Sequence, residues 1–169
     1  MGGNNMYAIG ETAFYGSNGI CTIKDIQEKQ FHGESQLYYV LESSVYPALV
    51  LYHPVHTDNS KLQKIMAPQL AKEIIMIFSQ SPEEWNERHT VRMQTFKSTV
   101  DSRDHLKIAK LLNTILRKQQ ELKSEEKKLN QQDLQMVHQI STILYDEIAF
   151  ALNISKVEVA NKIESLIKQ

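Results

Sequence analysis

The side chains in this sequence best suited to chemistry are few. His53 and His56 lie three apart in His53-Pro54-Val55-His56. Two imidazoles at that spacing share a face only when the segment is helical, and Pro54 forbids the helix. No cysteine or carboxylate falls at a ligand-like distance from them, so an ordinary loop is expected and no metal. Cys21, the single cysteine, has no adjacent base in sequence and reads as a buried or half-buried strand thiol. A glycine-rich phosphate loop, a nucleophile elbow and an HExxH helix are all missing from the sequence. Nothing points to catalysis, a cofactor or a small-molecule substrate, and a non-enzymatic binding protein is expected.

Trp85 is the single tryptophan, with Glu83, Glu84, Asn86, Glu87 and Arg88 around it. Two readings compete. A lone tryptophan commonly anchors a core or an interface. Alternatively, a flat apolar ring at the surface acts as a wedge that enters a base step from the minor groove. Between Glu83 and Lys128, eleven basic residues face eight acidic ones, a net +3. Arg88 and Arg92, four apart, are expected on one face of a helix, with Lys97 less well aligned. A solvated helix face explains that spacing as well as a phosphate-contacting one does. Over the whole chain 19 basic residues meet 20 acidic ones, for a net charge of −1 at pH 7. A stand-alone DNA binder draws much of its affinity from a basic excess. Any nucleic-acid contact here is therefore expected to be weak by itself, or assisted by a partner.

The elements that must carry these residues fall into two kinds. The first third has strand character. Thr12-Ala13-Phe14-Tyr15 runs into Gly16-Ser17-Asn18-Gly19, residues that tolerate positive φ in a tight turn. In Ile20–Ile26 strict alternation puts Ile20 and Ile26 on one side with Thr22 and Lys24, a mixed face that predicts a bulge or strong twist. His32-Gly33-Glu34 marks a turn before Gln36–Glu42, and Ala48–His53 lies between Pro47 and Pro54. Three to five short strands joined by tight turns fit a small SH3- or Tudor-like barrel. Beyond Pro54 the period changes to that of helices. Pro68 suits a first helical position, ahead of Leu70, Ile74, Ile77 and Phe78. Ser81-Pro82-Glu83-Glu84 has the form of a helix start and predicts a helix to about Thr99, with Trp85 in its first turn. A further helix carries Ile108, Leu111, Leu112, Ile115 and Leu116. Asn130 caps another, with a stripe of Leu134, Val137, Ile140, Leu144 and Ile148, and Ser155-Lys156-Val157-Glu158 is a capping box for the last. The fold class is thus α+β: a small Tudor/SH3-like β-barrel over residues 6–66, then an all-helical domain of about five helices over 67–169. No apolar run nears the ~20 residues that span a bilayer. The Met1–Met6 opening has neither the basic and apolar regions of a signal peptide nor the residue pattern for myristoylation. With one cysteine in a chain of 169 residues, a reducing cytoplasm is the expected compartment and no membrane partner is expected.

The order of these motifs resembles the CarD/CdnL family of bacterial RNA polymerase-binding transcription factors, whose N-terminal module is shared with the transcription-repair coupling factor. Ile9–Gly19 carries the resemblance first, followed by Ile26, Gly33 and Tyr38-Tyr39-Val40-Leu41. Trp85-Asn86-Glu87-Arg88, Leu106–Leu112, Leu129–Asp133 and Glu147-Ile148-Ala149 complete it, in order and over nearly the whole chain. The resemblance implies a β-domain that binds the polymerase β subunit, with Lys29 and Tyr52 as its contacts. It also implies a helical domain at the upstream edge of the promoter bubble, where the tryptophan matching Trp85 wedges into the minor groove. Arg88, Arg92, Lys127 and Lys128 are the expected DNA-contacting cations. The chain departs from the family where His89 and Thr90 replace frequent basic residues. It departs again where Leu134 and Gln135 replace a basic pair, and where Tyr52 takes a frequent arginine position. A rival expectation is a polymerase-bound adaptor whose helices bind another protein and not DNA.

Overall fold

The structure is a computed structural model that describes residues 7–57 and 61–169. The Met1–Met6 opening, with the expected barrel start at Met6, lies outside the described residues. The chain divides into two compact units between Ile65 and Met66.

The N-terminal unit holds five strands: β1 (Thr12–Tyr15), β2 (Ile20–Phe31), β3 (Glu34–Ser43), β4 (Val50–Pro54) and β5 (Leu62–Gln63). They form one antiparallel sheet in the order β4-β3-β2-β1-β5, the Tudor-like arrangement expected. β2 and β3, at 12 and 10 residues, are longer than the short strands expected. Their connection explains the length: His32 (φ 55°) and Gly33 (φ 86°) form a two-residue turn with both central residues at positive φ. Such a turn matches the twist of the flanking strands and keeps a long hairpin paired. The register shifts between Ile23 and Asp25, which is the bulge that the mixed face of Ile20–Ile26 predicts. Ile23 then faces Leu41 and Ile26 faces Tyr39, so residues three apart turn toward one core. Ala13, Cys21, Ile23, Tyr39, Leu41 and Leu62 fill that core. The Tyr7 N–H donates to the Tyr39 hydroxyl at 2.9 Å, fixing the chain entering the sheet.

The C-terminal unit is built from α1 (Pro68–Ile77), α2 (His89–Asp101), α3 (His105–Ser124), α4 (Gln131–Leu152) and α5 (Lys156–Ile167). Local signals set most of their starts. Pro68 occupies the first turn of α1, where its missing N–H costs nothing. Asp104 accepts from the Leu106 and Lys107 amides, Asn130 from Asp133, and Ser155 forms a reciprocal box with Glu158. Ile74, Phe78, Leu112, Ile140, Leu144, Ile148, Val159 and Ile163 close a common core. No helix among the described residues is long and apolar enough to cross a membrane.

Two expectations are corrected. The Ser81-Pro82-Glu83-Glu84 segment does not begin a helix; residues 81–88 are non-helical and α2 starts at His89. Its backbone is satisfied from elsewhere: Thr114 accepts from the Glu83 N–H at 3.0 Å, and Asn113 donates to the Gln80 carbonyl at 3.1 Å. Both side chains are buried on α3, so tertiary partners replace the first turn that a capping motif would open. The inward stripe of α4 is also rotated from the expected one. Leu134 and Val137 are only half-buried, while Asp133, Met136 and Glu147 join Ile140, Leu144 and Ile148 inside.

Candidate nucleic-acid and polymerase interfaces

Trp85 sits in the extended segment that precedes α2, neither in the core nor fully exposed. The Arg92 guanidinium lies 4.5 Å from its ring centroid and the Lys118 ammonium 5.9 Å away. Trp85 and Arg92 line a cavity of about 220 Å³ together with Val91, Leu111, Ile115 and Met136. The indole is therefore largely packed against the unit, with part of it left to solvent. Asn86 Oδ1 accepts from the Arg88 N–H at 2.9 Å, which turns the chain sharply into α2. Arg88 is the N-cap residue of α2 in extended conformation, and its side chain makes no capping bond. Its guanidinium is exposed and unpaired among the described residues. Arg88 thus stands at the positive end of the α2 dipole, a combination that favours a phosphate.

Arg88 and Arg92 do not project from one helix face as expected, because the helix begins only after Arg88. Arg92 is turned inward. Its Nε and Nη2 donate to the two Asp133 carboxylate oxygens at 3.1 and 2.7 Å. Nη1 donates to the Asn86 and Glu87 carbonyls at 2.9 and 3.1 Å. A guanidinium so engaged holds protein, leaving little to offer a phosphate. Lys127 and Lys128 lie on the exposed loop between α3 and α4. Lys127 pairs with Glu125 at 2.8 Å, and that carboxylate pushes its pKa up. Neither lysine takes part in the contacts around Trp85.

On the β-unit, Lys29 of β2 and Tyr52 of β4 are brought together, the ammonium 4.9 Å from the ring centroid. They lie on the sheet face opposite the core, since Lys29 pairs with Gln36, and Tyr52 with Val40, both of which point outward. Val50 shares that face, as do Phe31 and Tyr38, whose rings meet edge to face at 5.2 Å. β4 is also an edge strand, paired with β3 alone among the described residues, which leaves its outer side for a further strand. The result is an outer face on which Lys29, Tyr52, Val50, Phe31 and Tyr38 alternate with the polar Asp25, Gln27, Gln36 and Glu42, beside the β4 edge.

The other chemistry-bearing residues are structural. His53 turns inward, its Nδ1 3.4 Å from the Tyr15 hydroxyl, and burial with nearby Lys61 pushes its imidazole pKa down. Cys21 is completely buried, and burial pushes its thiol up, as expected for an inert strand cysteine. The described residues contain no cluster of three or more metal-ligating side chains.

Sequence reasoning passed over two residues that organise the helical unit. Asp133 and Glu147, each 1% exposed, lie on α4. Asp133 takes Arg92 of α2. Glu147 accepts from the Met66 N–H at 3.0 Å and pairs with His105 Nε2 at 2.8 Å. The only local hint was Asp133 at the third position after the Asn130 cap.

Residues 7–66 match the family model of the CarD-like/TRCF RID domain, and residues 73–164 match that of the CarD C-terminal domain. A Tudor-like sheet of the first kind followed by a helical unit of the second defines an RNA polymerase-interacting transcription factor, a class without enzymatic activity. The chain belongs to the CarD family, as its motif order suggested. No curated protein matches it.

Proposed function

We propose that this transcription factor docks on the β subunit of RNA polymerase through the outer face and edge of its sheet, and stabilises the open promoter complex with Trp85. The observation that carries the reading is the placement of Trp85: a partly buried indole outside the core, backed by a cation, next to Arg88, unpaired among the described residues, at the positive end of α2. A ring so placed enters a base step at the upstream edge of the bubble, where stacking is already interrupted and the unstacking cost of a few kcal/mol is lowest. Arg88 holds the adjacent phosphate, and the Lys127-Lys128 loop adds a weaker electrostatic contribution. Arg92 acts from within and is not a DNA contact. On the sheet, Lys29 and Tyr52 offer a stacked cation and ring, and β4 supplies main-chain groups for a partner strand.

The near-zero net charge accords with this division of labour. Docking on polymerase raises the local concentration of the helical unit at promoter DNA, so weak contacts become effective without a strongly basic surface. A second reading, in which the helices bind another protein, is favoured by an open groove of about 470 Å³ between α1 and α3, lined by Met76, Ile77 and Leu106. Binding of the full chain to purified β subunit tests the first step. Wild type is expected to bind, and Tyr52→Ala to bind more weakly while melting as wild type does. Absence of binding by folded wild-type chain refutes the docking. Promoter-complex stabilisation that is insensitive to salt would favour the protein adaptor.

A further inference from the structure

We propose that the Arg92–Asp133 pair is a positioning device for Trp85, setting the placement of the ring and of the main chain that follows it. The inference rests on the proposed DNA-wedging role of that ring, and deepens it by assigning the residues that hold the wedge in place.

Two grips come from one guanidinium. Its central carbon lies over the indole, 4.5 Å from the ring centroid, within the range where a cation is attracted to the ring's negative face. Its Nη1 donates to the carbonyls of Asn86 and Glu87, the two residues immediately after Trp85. Ring and backbone are therefore fixed by the same rigid plane. That plane is in turn locked by a side-on fork to Asp133, with bonds of 3.1 and 2.7 Å. The pair is removed from solvent, with side-chain exposures of 12% for Arg92 and 2% for Asp133. Such bidentate geometry gives orientation as well as energy.

The anchor itself is well held. Asp133 stands in the first turn of α4, where a carboxylate is favoured by the helix dipole, and its own N–H donates to Asn130 Oδ1 at 2.8 Å. α2, by contrast, has no fully buried residue of its own. Arg92 supplies a polar tie from its first turn to α4, beside the apolar contacts of Phe96 and Val100 with the core. The chain before Trp85 is tethered to α3, by the bond from the Glu83 N–H to Thr114, two residues before the ring, and by Asn113 to the Gln80 carbonyl. Thr114 and Arg92 hold the backbone on either side of Trp85, and Arg92 alone among them also touches the indole. A lysine at position 92 keeps the charge but loses the planar fork. It cannot bond Asp133 side-on and face the indole at once.

Trp85 is the single tryptophan, so its fluorescence reports on this site without a label. The test uses the full chain carrying Arg92→Met with Asp133→Leu, a replacement of a buried pair by apolar residues that commonly preserves folding. Arg92→Lys serves as a second variant in which the charge remains. The readouts are time-resolved anisotropy and acrylamide quenching of free protein, then the lifetime of the open promoter complex. The double variant is expected to melt cooperatively, while its indole rotates more freely. Its quenching constant should rise at least about twofold, given that loss of a cation–π contact shifts ring populations by roughly twofold to thirtyfold. Arg92→Lys should fall between the two, and open-complex lifetime should shorten in the same order. Unchanged anisotropy and quenching in the folded variants overturn the positioning role, even if melting temperature moves. A freed indole with unaltered open-complex lifetime supports the positioning and overturns the DNA-wedging reading on which it rests.

Discussion

Replacing Glu147 with Gln should weaken the helical unit in acid and much less in base. Glu147 is buried at the point where α4 meets the start of α3 and the chain entering α1. It accepts from the Met66 N–H at 3.0 Å and pairs with His105 at 2.8 Å. The hydrogen bond from His105 to Glu147 raises the histidine pKa, with burial working in the opposite direction. A group whose pKa is higher in the folded than in the unfolded chain adds stability that is complete below its unfolded value, about 6.5, and lost as pH rises through the folded one. Gln keeps the volume and an acceptor for the Met66 N–H but removes the charge that holds the imidazolium. Charged hydrogen bonds contribute ~1.5–3 kcal/mol and neutral ones ~0.5–1.5, so the loss in acid is roughly 1–2 kcal/mol. At roughly 4–8 °C per kcal/mol for a unit near this size, the melting temperature should drop by roughly 4–16 °C. Melting followed by Trp85 fluorescence isolates the helical unit, because the β-unit has no tryptophan. Wild type and E147Q should differ by that amount at about pH 5.5, and the gap should narrow or reverse at about pH 9. An equal gap at both pH values, or none at either, refutes the assigned role of the His105–Glu147 pair.

Ser155→Ala removes the α5 cap and should cost about 1 kcal/mol of helical-unit stability, visible in thermal melting. Thr114→Val leaves the Glu83 N–H without its acceptor, a loss on the order of 1–3 kcal/mol, and should speed amide exchange in the 81–88 segment specifically. Lys29→Ala removes an exposed cation–π contact and should leave melting within about 0.5–1 kcal/mol of wild type.

Signals that act within three or four residues were legible in the sequence. Pro68, Asn130 and Ser155 mark helix starts because each satisfies or omits an amide in the adjacent turn. The bulge in β2 was legible too, since strict alternation would have put Lys24 on the core face with Ile26. The Ser81-Pro82-Glu83-Glu84 segment has the same local form as a true start, yet Thr114 and Asn113, more than thirty residues further on, claim its backbone instead. Arg92 is the clearest case at the site. Beside Arg88 in sequence it looks phosphate-seeking, and only the distant Asp133, placed by the α4 cap, turns it inward. A buried acid on a helix reads as a break in the apolar stripe, so Asp133 and Glu147 stayed hidden until their partners on α2 and α3 were seen.

Open-complex decay with wild type and Trp85→Ala, measured on one promoter with polymerase saturated, tests the central claim most directly. An aromatic contact with a base contributes roughly 1–3 kcal/mol, so the lifetime should shorten by a factor of about five to over a hundred. Melting of the variant should fall by less than the ~3–5 kcal/mol that a core aromatic costs, because the ring is only half-buried. Decay at the wild-type rate, with Trp85→Ala folded and bound to polymerase, would contradict the account.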